Sequence, residues 1–196
     1  MTGGAASSPD EIKQAKAELR AAIIARRDAA DGARRLRHSQ TITQKLCALP
    51  EYRAAGVVAA YASFGSELDT SAFLARILAD GKLLLLPRIN RAQRALELRQ
   101  VKDPAGDLVP GVWGIREPAE RCGIFSPAKV EFMLVPGVAF TAGGARLGYG
   151  GGFYDRLLTS LDQRAVRIAA AFDLQMVEHI PEGPHDQRVG KVVTER

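Results

Sequence analysis

Residues 146–155 bring together, within ten positions, the groups that phosphate chemistry needs. The stretch begins with Arg146, has glycine at four of the five positions from 148 to 152, and ends with Asp155. Because glycine lacks a Cβ, the N–H groups of such a loop can approach a ligand closely. An apolar run precedes the loop and a helical pattern follows it, an order that favours phosphate binding. The stretch therefore predicts a phosphate site with an arginine clamp and a candidate metal ligand.

Two common nucleotide motifs do not fit this loop. A Walker A motif needs Gly-Lys-Ser/Thr at the end of the loop, and here Phe153 follows Gly152. The dinucleotide fingerprint needs a third glycine at the position that Phe153 occupies. A purely structural turn is the remaining alternative. The arginine before the loop and the Tyr-Asp pair after it favour a functional role.

The loop requires a strand before it and a helix after it, and the flanking sequence predicts both. Short apolar runs predict strands at 57–61, 83–86, 95–101, 130–135 and 168–172. Helices are predicted at 9–30, 32–50, from 69 or 70 to 78, and at 154–161. Residues 103–127 hold four of the ten prolines and predict a long loop. The alternation indicates an α/β fold with a mainly parallel sheet sandwiched by helices and an N-terminal helical pair.

The composition indicates one globular domain. The chain has 196 residues, 46% of them hydrophobic and 25% charged, which is ordinary for an α/β protein. No run of about 18 apolar residues is present, so we expect no membrane span. Cys47 and Cys122 lack the spacing of a zinc or disulfide framework. Residues 1–8 are small and polar. We therefore expect a flexible leader at 1–8, a single domain at 9–196 and a cytoplasmic location.

The net charge of +5 leaves a nucleic-acid-binding alternative open. Much of the excess lies in the first 37 positions, and basic stretches of this kind can bind nucleic acid. The stretch lacks interleaved aromatics for base stacking, so a solvated helix face with one or two residues directed to a polyanionic small molecule is favoured. Lys16 and Arg20 are four positions apart and project from one face of the first helix.

Several motifs together resemble one known family. The longest are Pro136-Gly137-Val138-Ala139-Phe140 and the run from Gly144 to Leu158, which contains the glycine loop. Shorter matches are Lys16-Ala17-Glu18-Leu19-Arg20, Glu67, Trp113-Gly114-Ile115-Arg116-Glu117-Pro118 and His185-Asp186. Together they resemble the 5-formyltetrahydrofolate cyclo-ligase family, also called 5,10-methenyltetrahydrofolate synthetase, from about Glu11 to Thr194.

The resemblance implies an ATP-dependent ring closure on 5-formyltetrahydrofolate. In that reaction ATP phosphorylates the N5-formyl oxygen to an iminium phosphate, and N10 then attacks the same carbon. Phosphate leaves, so the products are 5,10-methenyltetrahydrofolate, ADP and phosphate. Phosphoryl transfer depends mainly on positioning and charge neutralisation, which agrees with the lack of a nucleophile–base arrangement in the sequence.

The resemblance also implies roles for individual residues. Arg146 and Tyr154 are the expected catalytic residues. The expected ATP-binding residues are Lys16, Arg20, Arg146, Leu147, Gly148, Tyr149, Gly150, Gly151, Gly152, Phe153 and Tyr154. The expected folate-binding residues are Ala62, Glu67, Trp113 and Tyr149. Asp155 and Asp186 are expected to bind Mg²⁺, which commonly takes one or two carboxylates beside phosphate oxygens.

Each of these roles has a structural alternative. Lys16 and Arg20 could be solvated, and Asp155 could stabilise the start of its helix. Asp186 could lie in an ordinary surface turn, and Trp113 could belong to the core. Glu67 would be unremarkable in a turn, but it follows the end of a buried strand, where ligand sites of α/β proteins form.

Three positions depart from the family's pattern. Gly151 stands where some members have lysine, Thr141 where aspartate is common, and Val189-Gly190 where Val-Asp is more usual. We therefore expect neither a lysine contact from the loop nor a carboxylate at position 141.

Two other classes of function remain as alternatives. One is another ATP-using ligase or kinase that acts on a different small acid. The other is a nucleic-acid-binding or regulatory protein that uses the basic N-terminal helices and would bind with steep salt dependence. The favoured hypothesis is a monomeric folate enzyme without nucleic-acid or membrane partners.

Overall fold

The computed structural model describes residues 8–196, apart from the side chain of Trp113. The predicted leader therefore lies outside the described residues, except for Ser8. The helices are α1 (Pro9–Ala29), α2 (Gly32–Ala48), α3 (Pro50–Ala54), α4 (Ser71–Ala79), α5 (Pro104–Asp107) and α6 (Phe153–Thr159). The strands are β1 (Val57–Ala59), β2 (Leu83–Asn90), β3 (Ala95–Val101), β4 (Leu108–Pro110), β5 (Arg116–Pro118), β6 (Ile124–Phe125), β7 (Phe132–Val135), β8 (Ala139–Phe140), β9 (Arg146–Leu147), β10 (Val166–Ala170) and β11 (Lys191–Val193).

The start of α1 follows from its first four residues. The Ser8 hydroxyl accepts a hydrogen bond from the backbone N–H of Glu11 at 3.3 Å, and the Glu11 carboxylate accepts one from the backbone N–H of Ser8 at 2.6 Å. This reciprocal capping box satisfies N–H groups that the helix itself leaves unpaired. Asp31 caps α2 through the N–H of Arg34 at 2.7 Å. The predicted N-terminal helical pair is confirmed.

The main sheet has seven strands in the order β11-β10-β7-β1-β2-β3-β6. The pairs from β11 to β2 are parallel, and β3 and β6 are added antiparallel. Two small hairpins, β4–β5 and β8–β9, lie outside this sheet. The predicted mainly parallel sheet is therefore confirmed.

Alternate residues of each strand point to opposite faces of the sheet. Both faces carry apolar side chains, and helices cover both of them. Val58, Leu84 and Leu134 face one cluster, which α2, α3 and α4 complete. Ala59 and Leu85 face a second cluster, which α6 completes. The inner strands are apolar on both sides, as is typical of a buried parallel sheet.

The topology creates a crevice beside β1 and β7, which are neighbours in the sheet. After β1 the chain passes through α4 to β2 on one side, and after β7 it passes through α6 to β10 on the other. Because the two connections leave in opposite directions, a space opens beyond the carboxyl ends of these strands. Ligand sites of α/β proteins form at such switch points.

Some predicted boundaries differ from the structure. β2 continues through Pro87 to Asn90, beyond the predicted end at Leu86. A proline is tolerated there because β1 pairs with β2 only as far as Leu85, which leaves one side of the strand unpaired. Conversely, β1 ends at Ala59 rather than Tyr61.

The predicted long loop at 103–127 is wrong in part. It contains α5, the β4–β5 hairpin, β6 and a 3₁₀ turn at Val112–Gly114. These elements have two to four residues each, too few to show a periodic apolar pattern. None of the helices in residues 8–196 is long and apolar enough to cross a membrane.

Candidate active site

A cavity of about 890 Å³ occupies the crevice beyond β1 and β7. Its walls come from α1, from the segment after β1, from the end of β2 and from the glycine loop 148–152. The segment 183–186 contributes Gly183, Pro184 and Asp186. Residues distant in the sequence therefore meet in one cavity, which is large enough for a substrate of several rings.

The glycine loop keeps its shape because two of its residues have backbone angles that favour glycine. Gly150 has φ 96° and Gly152, which begins α6, has φ 64°. Arg20 donates from Nε to the carbonyl of Gly148 at 2.9 Å. A Cβ on Gly150 would lie 3.4 Å from the guanidinium of Arg20. The absence of side chains thus lets an α1 cation lie against the loop.

Arg146 is held almost entirely inside the protein by β9. Arg146 is 6% exposed, and its Nη2 donates to Asp155 Oδ1 at 2.5 Å. Nη1 donates to the carbonyl of Pro136 at 3.3 Å, whereas Nε has no hydrogen-bond partner among the described residues. A Cβ on Gly148 would lie 2.8 Å from Nη1. A buried guanidinium with an unpaired N–H is therefore placed at the edge of the cavity.

The two predicted metal ligands lie at the same end of the cavity. Asp155 accepts from the backbone N–H of Gln187 at 3.2 Å as well as from Arg146. Asp186, the neighbour of Gln187, pairs with Lys16 and accepts from the N–H of Gly183 at 2.6 Å. Each carboxylate is thus paired with one cation. No cluster of three His, Cys, Asp or Glu side chains suited to a metal occurs within residues 8–196.

Glu67, which is 9% exposed, forms another part of the cavity wall with Phe64 and Tyr149 beside it. Its Oε1 accepts from the Tyr149 hydroxyl at 2.7 Å and its Oε2 from the N–H of Phe64 at 3.1 Å. Burial raises the pKa of the Glu67 carboxyl, and the hydrogen bonds and the charge of Arg27 oppose that rise. This part of the wall therefore presents a buried, hydrogen-bonded carboxyl group to the cavity.

The remaining predicted residues differ in how much of each side chain is exposed to the cavity. Ala62, Phe153 and Tyr154 line the cavity, and burial raises the pKa of the Tyr154 hydroxyl. Leu147 also lines it, but its side chain is 2% exposed and packs with Ile23 beneath α1. The side chain of Trp113 lies outside the described residues.

Sequence reasoning did not single out Arg27 as a site residue. It is 3% exposed, and its Nη2 donates to the Tyr149 hydroxyl at 2.9 Å. The sequence does contain a pattern that points to Arg27. Lys16, Arg20 and Arg27 are separated by four and seven positions, so they share one helix face. Arg116 and Glu117 also line the cavity, and they lie within a motif that we noted but did not assign to the site.

The chain is similar to known proteins in both sequence and fold. A 5-formyltetrahydrofolate cyclo-ligase from Mycolicibacterium smegmatis is 34% identical over 190 residues, covering 92% of this chain and 94% of the relative. The mouse protein of that name is 30% identical over 193 residues, covering 94% and 95%. The solution structure of 5,10-methenyltetrahydrofolate synthetase from Aquifex aeolicus has a TM-score of 0.82 and 34% identity, covering 92% and 90%.

The similarity extends over nearly the whole described chain. A sequence profile of one family matches residues 12–195, a range that includes most of α1, the glycine loop and the segment of Asp186. The chain belongs to the 5-formyltetrahydrofolate cyclo-ligase family.

Proposed function

We propose that this protein catalyses the ATP-dependent cyclisation of 5-formyltetrahydrofolate to 5,10-methenyltetrahydrofolate, with release of ADP and phosphate. The observation that carries the proposal is the single cavity beyond β1 and β7. Lys16, Arg20 and Arg146 line it together with the glycine loop, and the buried Glu67 lines it as well. A cavity that offers both cations and a buried carboxyl group suits two substrates that must react with one another. The family of the chain supports the same activity.

The ATP phosphates would bind at the glycine loop. Arg146 lines the cavity beside the loop, and Lys16 and Arg20 reach the same region from α1. Backbone N–H groups from Leu147 to Tyr154 would complete the contacts. Arginine and lysine charges close to the transferred phosphoryl group stabilise the charge that develops on it.

Mg²⁺ would be held by Asp155 and Asp186. Two carboxylates at one end of the cavity fit this ion, because Mg²⁺ is usually held by one or two carboxylates plus phosphate oxygens and water. Both carboxylates now pair with cations, Arg146 and Lys16. We expect the cations to turn to the phosphates when the ion and nucleotide bind together. The metal would neutralise phosphate charge and orient the transferred group.

The folate would bind with its pyrimidine edge at Glu67. A carboxylate can accept paired N–H donors from a 2-amino-4-oxopyrimidine, and burial strengthens such hydrogen bonds. Ala62, Trp113 and Tyr149 would contact the ring system. The N5-formyl oxygen would then face the nucleotide side of the cavity.

The chain would act by positioning and charge stabilisation. ATP supplies the phosphoryl group that activates the formyl oxygen, and N10 of the folate supplies the nucleophile. Arg146 would stabilise the transferring phosphoryl group, while Tyr154 would orient the substrates from the start of α6. N10 forms the new C–N bond as the C–O bond to phosphate breaks, so no protein nucleophile is required.

The activity is testable by absorbance at the methenyl product's band. We expect an increase that requires 5-formyltetrahydrofolate, ATP and Mg²⁺ together. Arg146→Lys should lower kcat/KM for ATP by about tenfold or more, because charge-assisted hydrogen bonds are lost while the charge remains. Arg164→Lys is the matched control, since that side chain is 92% exposed and pairs with Asp162 at the surface.

Two results would contradict this assignment. Equal kinetics in Arg146→Lys and Arg164→Lys would remove Arg146 from the phosphate site. Absence of product from folded protein that binds ATP would favour a ligase or kinase for another small acid. The monomeric state and the cytoplasmic location remain predictions, as does the absence of nucleic-acid and membrane partners.

A further inference from the structure

A chain of hydrogen bonds connects α1 to Glu67 through the glycine loop. Arg27 donates from Nη2 to the Tyr149 hydroxyl at 2.9 Å, and that hydroxyl donates to Glu67 Oε1 at 2.7 Å. We call these three residues the Arg27–Tyr149–Glu67 chain. The Tyr149 hydroxyl is both acceptor and donor in it, a dual role that the phenylalanine ring could not fill.

Arg27 is anchored independently of Tyr149. Its Nε donates to the Ser66 hydroxyl at 3.0 Å, and that hydroxyl in turn donates to Asp28. A guanidinium that is 3% exposed needs such partners, because an unpaired buried charge is costly. Arg27 therefore provides a fixed donor for the Tyr149 hydroxyl.

The hydrogen bonds to Glu67 leave room for a ligand. A carboxylate has about four acceptor positions, two on each oxygen. The Tyr149 hydroxyl occupies one position on Oε1, and the Phe64 N–H occupies one on Oε2. One position on each oxygen remains, which matches two parallel N–H donors on one edge of a ring. Tyr149 thus orients the carboxylate without occupying the place of the ligand.

Tyr149 also connects the glycine loop to Glu67. It stands between Gly148 and Gly150, which have no side chains, so packing in the middle of the loop depends on Tyr149. Its ring lies 5.4 Å from that of Phe64 between centroids, at a tilt of 42°. The residue is 41% exposed, yet its hydroxyl reaches the buried Glu67. Hydrogen bonding therefore accounts for this placement better than burial of the ring does.

We propose that Tyr149 and Arg27 are positioning residues that hold the Glu67 carboxylate in the orientation that the pyrimidine edge of the folate requires. The inference rests on the proposed function. It assigns the loop residue Tyr149 to the folate side through its hydroxyl, and it adds Arg27, which does not line the cavity.

The charges around Glu67 agree with this role. Burial raises the pKa of Glu67, and hydrogen bonds from Tyr149 and Phe64 and the charge of Arg27 lower it. Tyr61 and Tyr154 also face Glu67, and burial raises the pKa of both hydroxyls, so they remain neutral. Removing the Tyr149 hydroxyl should therefore raise the pKa of Glu67 further. Because paired N–H donors require the ionised carboxylate, folate binding should then be lost at a higher pH than in the wild type.

The decisive variant is Tyr149→Phe, which keeps the ring and removes the hydroxyl. We expect Kd and KM for 5-formyltetrahydrofolate to rise about tenfold, and by more than KM for ATP rises. The acid limb of kcat/KM for the folate should move to higher pH. Calorimetric titration with 5-formyltetrahydrofolate gives Kd, and steady-state kinetics give the other constants. Tyr52→Phe is the control, since its hydroxyl donates to Asp80 at 2.8 Å away from the cavity.

A double-mutant cycle tests the contribution of Arg27. Arg27→Lys keeps the charge but not the two-pronged contact, so it should raise Kd for the folate in the same direction. Because both residues act through one carboxylate, the double variant should lose less affinity than the sum of the two single losses.

The outcomes separate this inference from the proposed function. Suppose that the wild type forms product and that Tyr149→Phe has the same Kd for the folate and the same acid limb of its pH profile. That result would overturn this inference and leave the proposed function standing. Fully additive losses in the cycle would overturn the role of Arg27. Absence of product and of folate binding in the wild type would overturn both proposals.

Discussion

Arg146 and Asp155 show how the charges that line the cavity balance one another. The Arg146 side chain is 2% exposed and the Asp155 side chain 23%, and Lys16 pairs with Asp186 in the same way. Pairing keeps buried charges from being left without a partner. We expect Arg146 and Lys16 to pair with the phosphates of MgATP, because phosphates attract cations. We expect Asp155 and Asp186 to pair with Mg²⁺, because the metal ion attracts carboxylates.

We predict that Asp155→Asn raises the Mg²⁺ requirement and leaves the fold intact. The amide keeps an oxygen for the Gln187 N–H but removes the charge opposite Arg146. The Mg²⁺ concentration for half-maximal activity should rise about tenfold or more. The free energy of unfolding should fall by about 2 kcal/mol, measured with urea. Asp162→Asn, on the surface, should change neither quantity, and an unchanged Mg²⁺ requirement in Asp155→Asn would contradict the metal site.

At the scale of elements, the β8–β9 hairpin positions both the glycine loop and the C-terminal segment. Gly144, in its turn, has φ 83° and accepts from the N–H of Val189 at 2.9 Å. Thr141 closes the same turn by accepting from the N–H of Ala145 at 3.1 Å. Because Val189 follows Asp186 by three residues, this contact helps to keep Asp186 beside Lys16.

Gly144→Ala tests this contact. A Cβ there would lie 2.1 Å from the carbonyl oxygen of Val189, in a backbone conformation that favours glycine. We expect a loss of about 2–4 kcal/mol in the free energy of unfolding, together with a higher Mg²⁺ requirement. Gly123→Ala is the matched control, because a Cβ at that position would meet no atom within 4 Å. Equal urea midpoints for the two variants would show that the hairpin tolerates the change.

At the scale of the whole molecule, α1 connects the β8–β9 hairpin region to the cavity. Ile23 is 1% exposed and packs with Val138, Ala139 and Leu147 of the hairpin region. The same helix carries Lys16, Arg20 and Arg27 to the cavity region. We therefore propose that residues 9–196 form one cooperative domain, in which α1 is an integral part.

Ile23→Ala should test that proposal. The cavity left by the side chain should cost about 3 kcal/mol, and KM for ATP should rise because Lys16 and Arg20 share the helix. Scanning calorimetry should show one transition, with equal calorimetric and van't Hoff enthalpies, in both the variant and the wild type. Leu36→Ala, at a position 49% exposed on α2, is the control. Two separate transitions would instead indicate that α1 unfolds independently.

Local signals explain the parts of the structure that were predictable. The capping box at Ser8, the apolar runs of β1 and β7 and the four glycines near Gly150 each act within a few residues. Their sequence therefore predicts the element directly. The elements between 103 and 127 were missed because each has only two to four residues, and β6 is in addition stabilised by pairing with the distant strand β3.

The sequence alone determined the fold class and, through its motifs, the family, and it predicts phosphate binding at the glycine loop. Which charges meet was decided only by the tertiary structure. Lys16 and Asp186 are 170 positions apart, and Arg27 and Tyr149 are 122 apart. Such pairs depend on strand order, since the site exists where β1 and β7 become neighbours and their connections diverge. Local spacing predicts which side chains share a helix face, whereas their partners depend on how the whole sheet brings distant segments together.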